Sequence, residues 1–193
     1  MRGRPFATLS LYTAAGCRKY LTPAERSRFI AAAKACSRKA VGTLCLMLVY
    51  TGCRISEALA LTRASIEPEA GFVAFRSLKK RNGALVVREL PVPVDLLNRV
   101  GELPAAGAKR LWPFSRSRAW QLVKQVMAEA GIAPGIHATP RGMRHTFGVH
   151  AIRSGVPLNL VQRWLGHARL ETTAIYLQAM GTEEREIAAR MWR

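Results

Sequence analysis

Acidic residues are scarce in this 193-residue chain: twelve Asp and Glu stand against thirty Lys and Arg, a formal net charge of +18. A shortage of carboxylates this large is seldom a matter of solubility alone. Arginine supplies most of the positive charge, and its planar fork pairs well with phosphate, so the balance points to a polyanion partner. Cysteine is also sparse. Cys17, Cys36, Cys45 and Cys53 form no CxxC pair and have no histidines at zinc spacing, which excludes the common metal-binding patterns. No stretch reads as a secretory signal, so reduced thiols in a cytoplasmic protein are expected. Long apolar runs are absent as well. The longest uncharged run, Ala40 to Cys53, is too short to span a bilayer and contains Gly42 and Gly52, so it reads as a buried core helix.

What is present is unevenly distributed. Hydrophobic content of 49% and charged content of 22% fit an ordinary globular domain with a sizeable core. From His137 to Arg169 there are five arginines (141, 144, 153, 163 and 169) and no acid. The tail from Glu171 to Arg193 instead holds four glutamates and three arginines. A positive block followed by a near-neutral tail suggests one surface for a polyanion and another for protein contact.

Residues 1–20 are basic, turn-rich and poorly periodic, and read as an N-terminal arm. "LTPAERSRFIAAAKAC" starts a helix, with Thr22 as cap, Pro23 at the first helical position and Glu25 in the first turn. A second helix runs through "AVGTLCLMLVYTG" and stops at Gly52, and a third begins around "RISEALAL". "GFVAFRSL" and "ALVVRELPV" are β-rich runs joined by "KKRNG", where Asn82-Gly83 is a strong turn signal. "SRAWQLVKQVMAEAG" places Ala119, Leu122, Val123, Val126, Met127 and Ala130 on one helical face. A helix through "PRGMRHTFGVH", a break at "SGVP", a helix through "LNLVQRWLG" and a short segment "ETTAIYLQA" follow. The last helix, "TEEREIAARMW", has Thr182 as cap and an apolar stripe of Ile187, Ala188, Met191 and Trp192. The fold class expected is mainly α with a small antiparallel β-hairpin or sheet (α+β), without internal repeats.

The stretch "TPRGMRHTFGVH" sets Arg141 and Arg144 three residues apart on a helix, which puts both on one face with their forks directed at one small anion. A site that binds a phosphate and cuts it without a metal needs fixed cations, a nucleophile and a proton donor for the leaving oxygen. Arg54 follows a Thr-Gly turn and precedes Glu57 at helical spacing, so the carboxylate can hold the guanidinium; from "RISE" alone this is a surface ion pair. Lys79 ends a strand beside the Asn-Gly turn and by itself is a solvated hairpin lysine. Tyr176 by itself is a half-buried aromatic, and His167, after Gly166, a histidine complementing a helix dipole.

Order and spacing change that reading. "TGCRISEALAL", "LKKRNGALVVRELPVP", "PRGMRHTF", "VQRWLGH" and "TTAIY" together closely resemble the catalytic domain of the tyrosine recombinase (phage integrase) family, over about residues 20–180. The resemblance implies that Arg54, Lys79, Arg141, Arg144, His167 and the nucleophile Tyr176 are catalytic. Glu57 supports Arg54, and Lys80 and Arg81 crowd the hairpin turn and contact DNA. Arg141 stands where the family has His or Lys, so it retains electrostatic help but stays protonated and cannot shuttle a proton. His137 lies seven residues before Arg144, the wrong spacing to replace it, and His145 and His150 read as structural.

The implied function is that of a site-specific DNA recombinase or integrase working through a 3′-phosphotyrosyl intermediate, with no metal, ATP or other cofactor. The implied partners are double-stranded DNA, further copies of the chain as dimer or tetramer, and accessory DNA-binding proteins. No membrane is involved, and the implied location is cytoplasmic and nucleoid-associated. The domain reading is an arm over 1–20, the catalytic domain over 21–180 and a C-terminal helix over 181–193 that docks on a neighbouring subunit. The N-terminal core-binding domain common in the family is absent from this layout. The competing reading is a DNA-binding regulator that keeps the fold but not catalysis, favoured by Arg141 and the short N-terminus.

Overall fold

The computed structural model describes residues 10–78, 85–104 and 110–179, together with Ala189. Lys79, Lys80, Arg81 and the Asn82-Gly83 turn lie outside the described residues, as does the C-terminal helix apart from Ala189.

Helix α1 (Pro23–Ala35) begins with a capping box: the Thr22 hydroxyl accepts from the Glu25 backbone, and the Glu25 carboxylate accepts from the Thr22 N–H. Helix α2 (Lys39–Thr51) is apolar nearly all round, and Val41 through Val49 are buried without a gap. It forms the centre of the domain, packing against α1, α4 (Val94–Gly101), α5 (Arg116–Glu129) and α6 (Pro140–Arg153). Gly52 closes α2 in the left-handed conformation, φ 60°, and a side chain there would also run into Phe147 of α6. The chain turns at Gly52 straight into α3 (Ile55–Leu59).

A three-stranded antiparallel sheet, β1 (Ile66–Glu67), β2 (Phe72–Leu78) and β3 (Leu85–Pro91), packs beside these helices in the order β1-β2-β3. Along β2 and β3, Val73, Phe75, Arg88 and Leu90 are buried while Arg76, Val87 and Glu89 are exposed, the period-two alternation of a one-sided sheet. Helix α7 (Leu158–Leu165) packs on α6 and β3 and ends at Gly166 in the left-handed conformation. Helix α8 (Glu171–Ala174) and a 3-10 turn (Ile175–Ala179) follow, and the turn lies against α6.

Three features differ from the sequence reading. Residues 10–20, expected within a free arm, fold onto the body: Leu11 is completely buried and Tyr12 bridges to Arg18. The physical reason is that Arg18 makes a forked ion pair with Glu25, both bonds 2.6 Å, so the segment is tied to the cap of α1. Helix α4 was not anticipated. Its eight residues hold only Leu96, Leu97 and Val100 as an inward face, too short a run to stand out after the strand-like "VVRELPVP". Strand β1, two residues long, gives no periodic signal of its own. Among the described residues no helix is long and apolar enough to cross a membrane.

Candidate active site

The turn between α2 and α3 and the sheet build one side of the site. Arg54 caps α3, and its backbone N–H donates to Glu57 Oε2 at 2.7 Å while its guanidinium donates to Oε1 at 2.8 Å. Glu57 is gripped from the other side by Arg88 of β3, whose two terminal nitrogens reach Oε2 at 2.6 Å and Oε1 at 3.2 Å. The arginine side chains differ sharply in exposure, 50% for Arg54 against 5% for Arg88. Burial alone would raise the Glu57 carboxyl, but its bonds to Arg88, and then the Arg54 contacts, hold it below the ordinary carboxylate range. Glu57 is therefore an anion between two guanidiniums, one sealed in the protein and one facing solvent.

Helix α6 contributes the second wall. Thr139 caps it by accepting from Gly142 N–H at 3.0 Å, and Pro140 occupies its first turn. Arg144 is buried, and it donates to the carbonyls of Gly52 at 2.8 Å and Leu165 at 2.5 Å. One side chain thus ties the turn before Arg54 to the end of α7 before His167. Burial, reinforced by the charge of Arg54, lowers the Arg144 pKa to about 10, so it remains a cation at neutral pH. Arg141 is exposed on the first turn of the same helix. The two arginines three residues apart are therefore not equivalent: Arg144 is already anchored on backbone carbonyls, whereas Arg141 faces solvent.

Tyr176 lies in the 3-10 turn over α6 and is only 1% exposed. Its ring rests on Gly148, where an added Cβ would lie 2.4 Å from the ring carbon that bears the hydroxyl. The ring of His167 stacks nearly parallel to it, with centroids 6.3 Å apart and planes 18° apart. His167 Nδ1 is fixed 2.9 Å from the Thr173 hydroxyl, which is itself completely buried. Burial, then the charges of Arg144 and Arg54, push the His167 pKa down to about 3. Burial raises Tyr176 to about 12, against the opposing pull of Arg144 and Arg141.

The sequence reading set His145 aside as structural, yet its Nδ1 lies 3.5 Å from the Tyr176 hydroxyl. Burial, then Arg141, Lys19 and Arg144, hold it near 4, so it meets Tyr176 as a neutral ring. His137 is remote in kind: half-buried, 4.0 Å from Glu25 and held low by burial and Arg18. Arg88 was missed altogether. The signal available was the strand alternation, which puts Arg88 in register with Val86 and Leu90 rather than with exposed Val87 and Glu89.

The structure thus brings Arg54, Glu57, Arg144, His167 and Tyr176 together from four separate stretches, with Arg141 at the rim and Lys79 outside the described residues. The arrangement carries three guanidiniums, Arg54, Arg88 and Arg144, for one carboxylate, a local excess of positive charge suited to a phosphate. Among the described residues no group of three or more His, Cys, Asp or Glu is placed to hold a metal ion.

Comparison with known proteins agrees with this architecture. The model of the phage integrase family matches residues 19–182. The tyrosine recombinase XerD of Halalkalibacterium halodurans is 31% identical over 158 residues, 74% of this chain and 50% of that protein. The chain therefore spans about half the length of this curated relative. Among solved structures, the catalytic domain of bacteriophage HP1 integrase superposes with a TM-score of 0.66 at 22% identity, covering 89% of this chain and 93% of that one. The XerH site-specific recombinase, in a pre-cleavage complex with its difH substrate, gives a TM-score of 0.70 at 20% identity, covering 94% and 60%. The expected α+β fold of a tyrosine recombinase catalytic domain is the fold observed, and the match across residues 19–182 makes this chain a member of the phage integrase family.

Proposed function

We propose that this protein is a site-specific DNA recombinase or integrase that cuts and rejoins strands through Tyr176. The observation that carries the reading is the convergence, from distant parts of the chain, of His167 and Arg144 at the Tyr176 ring, with Arg54 close enough to act on both of them. The XerH neighbour holds a DNA substrate, and the +18 charge of this chain suits the same polyanion.

In this mechanism Tyr176 Oη attacks the scissile phosphorus, the phosphorus–O5′ bond breaks, and a 3′-phosphotyrosyl link forms. A 5′-hydroxyl from a second strand then attacks that link and releases Tyr176. The bond energy stays in the covalent intermediate, so neither ATP nor a metal enters the balance. Arg54 and Arg144 neutralise the charge that grows on the non-bridging oxygens. Thr173 occupies Nδ1 of His167, which leaves Nε2 to serve the phosphate in this mechanism. Arg141 adds a further donor at the rim, and Lys79 protonates the leaving O5′. Tyr176 cannot react where it is buried, so the turn over residues 175–179 must lift from α6 when DNA is engaged, while Thr173 stays on His167. Function as pairs of dimers on two DNA sites, with the C-terminal helix docking on a neighbouring copy and accessory DNA-binding proteins assisting, belongs to the same reading. So does a cytoplasmic, nucleoid-associated location.

The burial of Tyr176 also favours a second reading, a DNA-binding regulator in which the tyrosine never emerges. Incubation with nicked suicide duplexes, beside Tyr176→Phe, separates the two. A denaturation-resistant protein–DNA adduct that vanishes in the variant supports the recombinase. Binding to duplexes that recombine in cells, without adduct from either protein, supports the regulator.

A further inference from the structure

Arg88 is a buried arginine that takes no part in the scheme above, and its surroundings are more elaborate than a structural ion pair requires. It stands directly opposite Phe75 in the β2–β3 register, with its guanidinium carbon 5.2 Å from the centre of that ring. Its two terminal nitrogens are both committed to the two oxygens of Glu57. The other bonds to those same oxygens come from Arg54, one from its backbone and one from its guanidinium. Above Arg88 lies Gly166, the residue before His167, where a Cβ would come within 2.7 Å of an Arg88 nitrogen. The strand, the Arg54 turn and the Gly166-His167 turn thus meet on one buried guanidinium.

A carboxylate held by a single exposed arginine can rotate about its last two side-chain bonds, and Arg54 would move with it. The fork of Arg88 removes that freedom, because two parallel N–H···O bonds fix the plane of the carboxylate as well as its position. We infer that Arg88 is a positioning residue for strand cleavage: through Glu57 it presets the exposed Arg54 guanidinium, and through its contact with Gly166 it sets the approach of the turn that carries His167. Arg88 does not touch the phosphate; its effect is to make the cationic cradle rigid before DNA arrives. Misplacement of a reacting or stabilising group by about 1 Å costs roughly 10²-fold in rate, and that is the loss expected when the fork is removed. Lysine supplies the charge without the fork, so it fails to restore the rate.

The inference rests on the proposed cleavage chemistry, and the test uses two measurements so that the two claims fail separately. In the first, Arg88→Gln, Arg88→Lys and Arg54→Ala are compared with the unaltered protein on nicked duplexes bearing either a normal scissile phosphate or a methylphosphonate. The methylphosphonate lacks the negative oxygen that Arg54 neutralises. Both Arg88 variants are expected to bind the duplex within about threefold of the unaltered protein, to form adduct roughly 10²-fold more slowly on phosphate, and to lose most of that deficit on methylphosphonate, as Arg54→Ala does. A deficit of equal size on both substrates overturns the inference and makes Arg88 a fold-holding residue. In the second, side-chain NMR of the free protein follows the Arg54 Nε–H group. Arg88→Gln is expected to turn an ordered, slowly exchanging signal into a mobile one; an unchanged signal overturns the positioning role. If the unaltered protein forms no adduct on either substrate, the cleavage reading falls, and the NMR result still decides whether Arg88 orders Arg54.

Discussion

Gly148→Ala offers a direct handle on whether Tyr176, the proposed nucleophile, is held back by its own docking site. The new methyl carbon would lie 2.4–2.6 Å from three carbons of the Tyr176 ring, far inside the separation of carbons in contact. Gly148 sits within α6, whose backbone is fixed by neighbours on both sides, so the ring is the part that yields. Overpacking of this kind costs about 1–3 kcal/mol, which here falls on the docked state alone. Full burial of a tyrosine, roughly 150–250 Å² at about 25 cal/mol/Å², contributes some 4–6 kcal/mol as an upper bound, so docking survives the substitution but weakened. A bias of about 1–3 kcal/mol multiplies the undocked population by roughly 5 to 150. Alanine also favours the helix by about 1 kcal/mol over glycine, which offsets the strain in the global stability.

Two assays read this outcome. In the free protein, nitration by tetranitromethane followed by mass spectrometry is expected to modify Tyr176 in the variant but not in the parent, with exposed Tyr12 as the internal standard. On pre-bound nicked duplex, single-turnover adduct formation is expected to accelerate by up to the same factor until chemistry becomes limiting. As the ring leaves its pocket its pKa returns from about 12 toward the ordinary tyrosine value, so the rate also begins to rise at a lower pH. Refutation would consist of a Tyr176 that stays unreactive to nitration together with an unchanged adduct rate. The methyl would then have been absorbed by a shift of α6, and docking would not gate the reaction.

Acid should weaken the fold through the same residues. His167 and His145, held near 3 and near 4, stay neutral in the native protein while the unfolded chain takes up protons below about 6.5. Stability therefore falls as pH drops from 6.5 toward 4, and urea midpoints at pH 7 and 5 should differ less in His167→Asn than in the parent. Arg141→Ala, an exposed change, should leave the urea midpoint at neutral pH nearly unaltered while slowing adduct formation roughly 10²-fold or more. Arg141→Lys should recover most of the rate, and an unaffected Arg141→Ala would remove this arginine from the cradle. Gly166→Ala forces an alanine into φ 66° and against Arg88, and should lower the melting temperature and slow cleavage together; loss of one without the other would uncouple the turn from the site.

The sequence displayed the candidate residues and left the state of the site hidden, for reasons that trace to particular side chains. Arg54, Arg144, His167 and Tyr176 sit in short boxes whose residue types resemble those of the family, and the caps of α1 and α6 are written in adjacent residues. Whether Tyr176 is exposed depends on the absence of a Cβ at position 148, twenty-eight residues away, and no local pattern reports that contact. The same holds for Arg141 and Arg144. Their helical spacing makes them neighbours, but the carbonyls of Gly52 and Leu165, which capture Arg144, belong to other elements. Arg88 is the instructive case, because half of its role was readable. Alternation along β3 directs it inward with Val86 and Leu90, and a buried guanidinium must find an anion or a set of acceptors. Only the folded contact between Arg88 and α3 reveals that the anion is Glu57 and that Glu57 already holds Arg54. The inward-facing arginine of β3 thus leads to a buried carboxylate elsewhere in this chain. In a site that depends on fixed positive charge, that carboxylate is the place to look for how the charge is fixed.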